Sequence, residues 1–124
     1  MTTWVAVGVF GALGALARYG LDLGLSRVWP SRFPVGTFVI NVVGSFALGV
    51  LFALVDAHPP QTTWLRPGLG AGFLGAFTTF STFSLQTVLL LETGEAGLAA
   101  LYAGASLAAG LLAVWGGLTV GRAW

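Results

Sequence analysis

The hydrophobic pattern divides the chain before any single residue is considered. No charged side chain falls at positions 1–17, 33–55, 67–91 or 96–121. The last three stretches each exceed the ~20 apolar residues that carry a helix across a bilayer core. The first reaches that length when Arg18 and Asp22 lie near an interface. The pattern predicts an all-α membrane protein with four transmembrane helices at 3–21, 35–55, 69–91 and 97–120, forming one domain over 1–124. A cleaved signal peptide is the other reading of the first segment. It lacks a basic start, and Arg18 stands where a cleavage site would fall. The connections are short. Residues 23–34 hold Arg27, Arg32 and two prolines, 56–67 hold the breaker Pro59-Pro60, and 92–95 form a tight turn with Gly94. Trp4, Trp29, Trp64 and Trp124 fall near span ends, where indole is favoured, and Trp115 lies deeper.

Composition narrows the function. Charged residues make up 7% of the chain and hydrophobic ones 56%, against about 25% charged in a soluble domain. So few charges cannot cover an aqueous surface. A net charge of +1 gives no basic face and excludes nucleic acid as a partner. There is no cysteine and one histidine, His58, so thiolate chemistry and multi-histidine metal sites are absent. No nucleophile–base pair is in reach, and the chain is read as a non-enzyme in a lipid bilayer.

Orientation is set by arginine and lysine bias between loops. Four spans put both termini and the 56–67 loop on one side, with Arg66 and Arg122. Arg27 and Arg32 lie on the other, joined by Arg18 if it reaches that interface. This balance is compatible with insertion in both directions and equally with one orientation fixed by other features. Small residues stand four apart at Gly11 and Ala15, Ser45 and Gly49, Gly68 and Gly72, Gly72 and Ala76, and Gly104 and Ala108. That spacing lets helices approach closely in lipid. Four short helices enclose little interior, so a path through them calls for more than one copy. Two oppositely inserted chains would close a twofold dimer.

The intramembrane polar groups are not acids or bases. The third span reads Gly72-Phe73-Leu74-Gly75-Ala76-Phe77-Thr78-Thr79-Phe80-Ser81-Thr82-Phe83-Ser84, with its hydroxyls near the middle of the charge-free stretch. Two successive threonines are poor helix material. A continuous helix whose hydroxyls bond its own carbonyls is the simpler arrangement. An interrupted helix would instead free carbonyls at mid-membrane, where protein, water or an ion must satisfy them. Carbonyls from two facing copies would enclose a hard cation such as Na⁺. Phe80 and Phe83, three apart, share a helix face. They either pack or present electropositive ring edges to a small anion. Asn41 is either an interhelical hydrogen-bond partner or a donor to that anion. Ser81, Thr82, Ser84 and Tyr102 extend a possible line of donors. Arg18 snorkels to the interface or forms a positive vestibule.

These residues carry a resemblance. Gly11-Ala12-Leu13-Gly14-Ala15-Leu16-Ala17-Arg18-Tyr19, Gly36-Thr37-Phe38-Val39-Ile40-Asn41-Val42-Val43-Gly44 and the third-span block resemble the bacterial Fluc (CrcB-type) fluoride channels, and the likeness spans the whole chain. The resemblance implies a break in the third helix and an antiparallel, dual-topology homodimer with two pores in the inner (plasma) membrane. It implies passive, selective fluoride efflux that protects the cell from fluoride toxicity. It assigns a structural Na⁺ at the dimer centre to the backbone carbonyls of Gly75 and Thr78. It assigns the fluoride pore to Asn41, Phe80, Phe83, Ser81, Thr82, Ser84 and Tyr102, and matches Arg18 to the family's first-helix arginine. The fourth span matches less distinctively, and Tyr102 with it.

Two other readings compete. A small multidrug-type four-helix exporter needs an intramembrane carboxylate, and the first span has none before Asp22. A non-transporting membrane scaffold protein would use the small-residue faces without needing the Thr-Thr-Phe-Ser-Thr-Phe order.

Overall fold

The computed structural model describes residues 2–124. Helix α1 spans Thr3–Val28 and α2 spans Val35–Ala57. Helix α3 covers 65–77, α4 spans Phe80–Glu92 and α5 spans Ala96–Arg122. Counting α3 with α4 as one crossing, four spans among the described residues are long and apolar enough to cross a membrane. Among the described residues there is no strand.

The helix ends follow from local chemistry. Thr2 opens α1 by accepting a hydrogen bond from the Val5 amide at 3.3 Å. The helix runs beyond the expected end at 21 as far as Val28, because no breaker intervenes before Pro30. At 1.5 Å per residue α1 is about 39 Å long, which exceeds a bilayer core of about 30 Å. Arg18, Asp22 and Arg27 thus all belong to the helix, with Arg27 in its last turn. Pro59 and Pro60 follow the end of α2 and cannot continue it. After α4 the Gly94 amide donates to the Leu91 carbonyl and the Glu95 amide to that of Leu90, at 3.1 and 2.8 Å. This Schellman closure puts Gly94 at φ 80°, a left-handed conformation that glycine adopts without a Cβ penalty. The turn is tied to the loop before α2 by the Arg32–Glu95 ion pair.

Helix α3 departs from a regular α-helix. Leu65–Pro67 is α-helical, Gly68–Leu74 adopts wider π-type turns, and Gly75–Phe77 returns to α geometry. Three glycines in the wide segment remove the side chains that would hold a tighter turn. Thr78 (φ −84°, ψ 157°) and Thr79 (φ −150°, ψ 111°) are extended and separate α3 from α4.

Two backbone-close pairs hold the helices together. In the first, a Cβ at Gly72 would lie 2.9 Å from the Val7 carbonyl oxygen of α1, and one at Gly14 would collide with the Phe73 carbonyl of α3. In the second, α2 packs on α5 through Gly49 and Ala53 against Gly117 and Gly121. The expected Gly104–Ala108 pair takes no such part, since nothing lies within 4 Å of a Cβ at Gly104. Small residues matter only on the face that meets another backbone, and α5 turns Gly117 and Gly121 that way. The fully buried set is small, with Ala6, Ile40, Thr37, Ala99 and Tyr102 at its centre. Large apolar side chains on every long helix remain exposed on the single chain.

Candidate functional site

The site is organised by the two extended threonines. In an uninterrupted α-helix the Thr79 and Thr82 amides would donate to the Gly75 and Thr78 carbonyls, four residues back. Here the Thr79 amide donates instead to Asn41 Oδ1 at 2.8 Å. Asn41 returns the contact, its Nδ2 donating to the Thr79 carbonyl at 3.1 Å. One side chain from α2 thus satisfies both backbone groups of one residue. The Thr82 amide donates to Thr79 Oγ1 at 3.2 Å, which makes Thr79 the N-cap of α4. Thr78 keeps its amide on the Leu74 carbonyl and adds its own hydroxyl to the same oxygen at 2.9 Å.

The hydroxyls divide into two groups. Thr79 Oγ1 stands 3.3 Å from Ser81 Oγ and donates to Thr82 Oγ1 at 3.0 Å, so three hydroxyls cluster at the start of α4. Ser84 and Thr87 donate back to the Phe80 and Phe83 carbonyls at 2.9 and 2.8 Å. Beyond them Tyr102, fully buried on α5, donates to Gln86 Oε1 at 2.7 Å.

The aromatic residues form a row. The Phe80 and Phe83 rings have centroids 5.8 Å apart and planes tilted by 49°. Phe83 lies 5.1 Å from Tyr102, and Tyr102 meets Phe33 edge-on at 5.3 Å. Phe80 differs from its neighbours in being 80% exposed. It borders a groove of about 420 Å³ between α2, α3 and α5. Asn41, Gly75, Thr78, Thr79, Phe80 and Phe83 line this groove, together with Ser45, Ser106 and several leucines, and none of its lining residues is charged.

Of the residues singled out from the sequence, Asn41, Gly75, Thr78, Phe80 and Phe83 therefore share one groove. Ser81 and Thr82 sit beside it in the Thr79 cluster. Ser84 is turned back to its own helix, and Tyr102 reaches the site through the Phe83 ring. Arg18 is half-buried, with its Nε donating to the Ala76 carbonyl at 3.0 Å. Sequence reasoning assigned no site role to four polar residues, although Thr79 stands in the threonine pair it marked as poor helix material. Thr79 caps α4, Gln86 partners Tyr102, Thr37 is buried, and Ser106 has a buried hydroxyl with no hydrogen-bond partner. Gln86 was visible as a polar residue three positions after Phe83 in a charge-free stretch, and Ser106 as one helical turn after Tyr102. Among the described residues no cluster of histidine or carboxylate side chains could hold a metal. Any cation at this site would have to bind backbone, hydroxyl or side-chain amide oxygens.

Comparison with known proteins covers nearly the whole chain. Residues 5–118 match the family described as CrcB-like protein, Camphor Resistance (CrcB). A protein named fluoride-specific ion channel FluC from Acidobacterium capsulatum is 48% identical over 119 residues, covering 96% of this chain and 94% of that protein. A protein of the same name from Nitratidesulfovibrio vulgaris is 47% identical over 118 residues, 95% of each chain. Another from Cereibacter sphaeroides is 46% identical over 124 residues, covering 100% of this chain and 98% of that protein.

Proposed function

This chain belongs to the CrcB-like family, and from that premise we propose that it is a fluoride-selective ion channel of the plasma membrane. It carries out no catalysis and lets fluoride leave the cell down its gradient. The observation that carries this reading is the uncharged groove in which Phe80 and Phe83 stand beside the Asn41–Thr79 contact. Fluoride is small and strongly hydrated. A path for it must replace water with donors and positive edges without holding the ion too tightly. Phenylalanine edges and neutral amide or hydroxyl donors meet that demand, whereas a fixed ammonium would trap the anion.

The pore residues have different tasks. Phe80 and Phe83 present ring edges along the path, and Tyr102 holds the Phe83 ring from behind. Asn41 has one amide hydrogen committed to Thr79, which leaves the other to donate to the anion. Ser81 and Thr82 continue the donor line. Ser84 joins it by accepting the cost of leaving the Phe80 carbonyl.

The functional unit of this reading is an antiparallel homodimer. Three apolar residues that line the groove, Leu48, Leu107 and Leu111, remain exposed on the single chain. Arg18 is committed to Ala76, so the two sides of the membrane each retain two arginines, Arg66 and Arg122 against Arg27 and Arg32. That balance supports insertion in both directions. The Gly75 and Thr78 carbonyls fit a Na⁺ site, because both residues line the groove and the amides that would have bonded them are engaged elsewhere. Bound there, Na⁺ would offset the partial negative charge of carbonyls brought together from two copies.

Two measurements test the reading. Liposomes containing the purified protein should release fluoride on collapse of the potential and retain chloride. Comparable chloride release would end the fluoride assignment. Tags fused to the C-terminus should be labelled from both faces of the cell membrane in similar amounts. Labelling confined to one face would exclude the antiparallel homodimer and leave a parallel assembly. An exporter is not favoured, since the groove has no carboxylate to couple protons to a cationic drug.

A further inference from the structure

Arg18 lies where a charge is least expected, and its contact is specific. Helices α1 and α3 meet with almost no clearance at Gly14 and Phe73, which fixes their register. Arg18 follows Gly14 by one helical turn, and Ala76 follows Phe73 by about one. The Arg18 Nε therefore meets the Ala76 carbonyl at 3.0 Å. In a continuous helix that carbonyl would accept from the Phe80 amide. Phe80 instead begins α4, after the two extended threonines.

We infer that Arg18 is a positioning residue for the ion path: its guanidinium caps the carbonyl end of α3 and holds the Thr78–Thr79 step open. Two side chains then brace this step. Asn41 from α2 takes the amide and carbonyl of Thr79, and Arg18 from α1 takes the carbonyl of Ala76. Gly75 and Thr78 are left on the groove side. A cation also suits the end of a helix, where the backbone dipoles leave partial negative charge. The inference rests on the channel reading but changes the part Arg18 plays in it. A vestibule arginine acts at a distance by concentrating fluoride, so its loss is made good by more fluoride. A brace acts on the shape of the path, so its loss lowers the greatest attainable flux.

The test combines fluoride flux with amide hydrogen exchange on the full-length protein in detergent. In Arg18→Met, amides of residues 78–84 are expected to exchange at least about tenfold faster while the rest of the chain is unchanged, as local opening without global unfolding requires. Maximal flux should fall by a similar factor, with half-saturation by fluoride little altered. Arg18→Lys should lie between the two, since lysine keeps the charge but not the planar fork or its Nε donor. Unchanged exchange at 78–84, with flux restored by high fluoride, would overturn the inference in favour of a vestibule. Faster exchange throughout the chain would also overturn it, in favour of a general packing role. Should Arg18→Met not fold, Arg18→Lys decides alone. Parent-like exchange in that variant refutes the brace, and local loosening supports it. Absence of fluoride flux in the parent protein would end the channel reading but leave the exchange comparison intact.

Discussion

Replacing Asn41 with leucine is expected to stop fluoride flux and to destabilise the protein, the largest combined effect of any single side chain in the site. Leucine fills much the same volume but offers no donor or acceptor. The Thr79 amide and carbonyl, now satisfied at 2.8 and 3.1 Å, would both lose their partner. Interhelical hydrogen bonds in membranes contribute only about 0.6 kcal/mol on average, because most polar groups find a substitute. These two groups belong to an extended backbone step and have no neighbouring turn to fall back on. Leaving each unpaired costs about 1–3 kcal/mol, so a loss of about 2–6 kcal/mol is expected for the pair. The variant also removes the remaining amide donor from the path. Flux should fall more than about tenfold, which corresponds to at least about 1.4 kcal/mol on the conduction barrier. Thermal unfolding in detergent and vesicle efflux measure the two effects separately. An Asn41→Leu protein as stable and as conductive as the parent would remove Asn41 from both roles.

The phenylalanines should separate conduction from stability more cleanly. Phe80 is 80% exposed on the single chain, so Phe80→Ile sacrifices little packing within it. Its ring edge is nevertheless lost, and fluoride efflux should fall at least about tenfold, again about 1.4 kcal/mol on the barrier. Phe83→Ile should reduce flux similarly but also cost stability. The Phe83 ring rests on Tyr102 at 5.1 Å, and an aromatic pair of this kind contributes about 0.5–1.5 kcal/mol beyond its buried area. Size-exclusion chromatography establishes that each variant keeps the assembly of the parent. Parent-like flux from both isoleucine variants in the parent assembly would show that the rings only pack.

The four spans were legible because hydropathy accumulates over many residues. No local contact can bring a charge-free run such as 33–55 into water at low cost. The turn at Gly94 and the stop at Pro59-Pro60 were legible for a different reason, since each residue restricts its own backbone. The polar cluster of the third span could be located but its partners could not be chosen. Asn41 was equally a pore donor or a structural hydrogen bond until α2 placed it against Thr79, 38 positions away. The small-residue spacing likewise marked Gly104 and Ala108 on the last span, whereas the face that meets α2 carries Gly117 and Gly121.

The sequence by itself determined that this chain is a four-span membrane protein, and its ordered motifs identified the family. Tertiary structure alone decided which polar groups meet. The Arg18–Ala76 contact links positions 58 apart, and it exists because glycine lets α1 and α3 touch backbone to backbone one turn earlier. Apolar character is a property of each residue and survives any arrangement of the helices. A hydrogen bond needs two particular atoms within about 3 Å, and only the packing of whole helices brings them there.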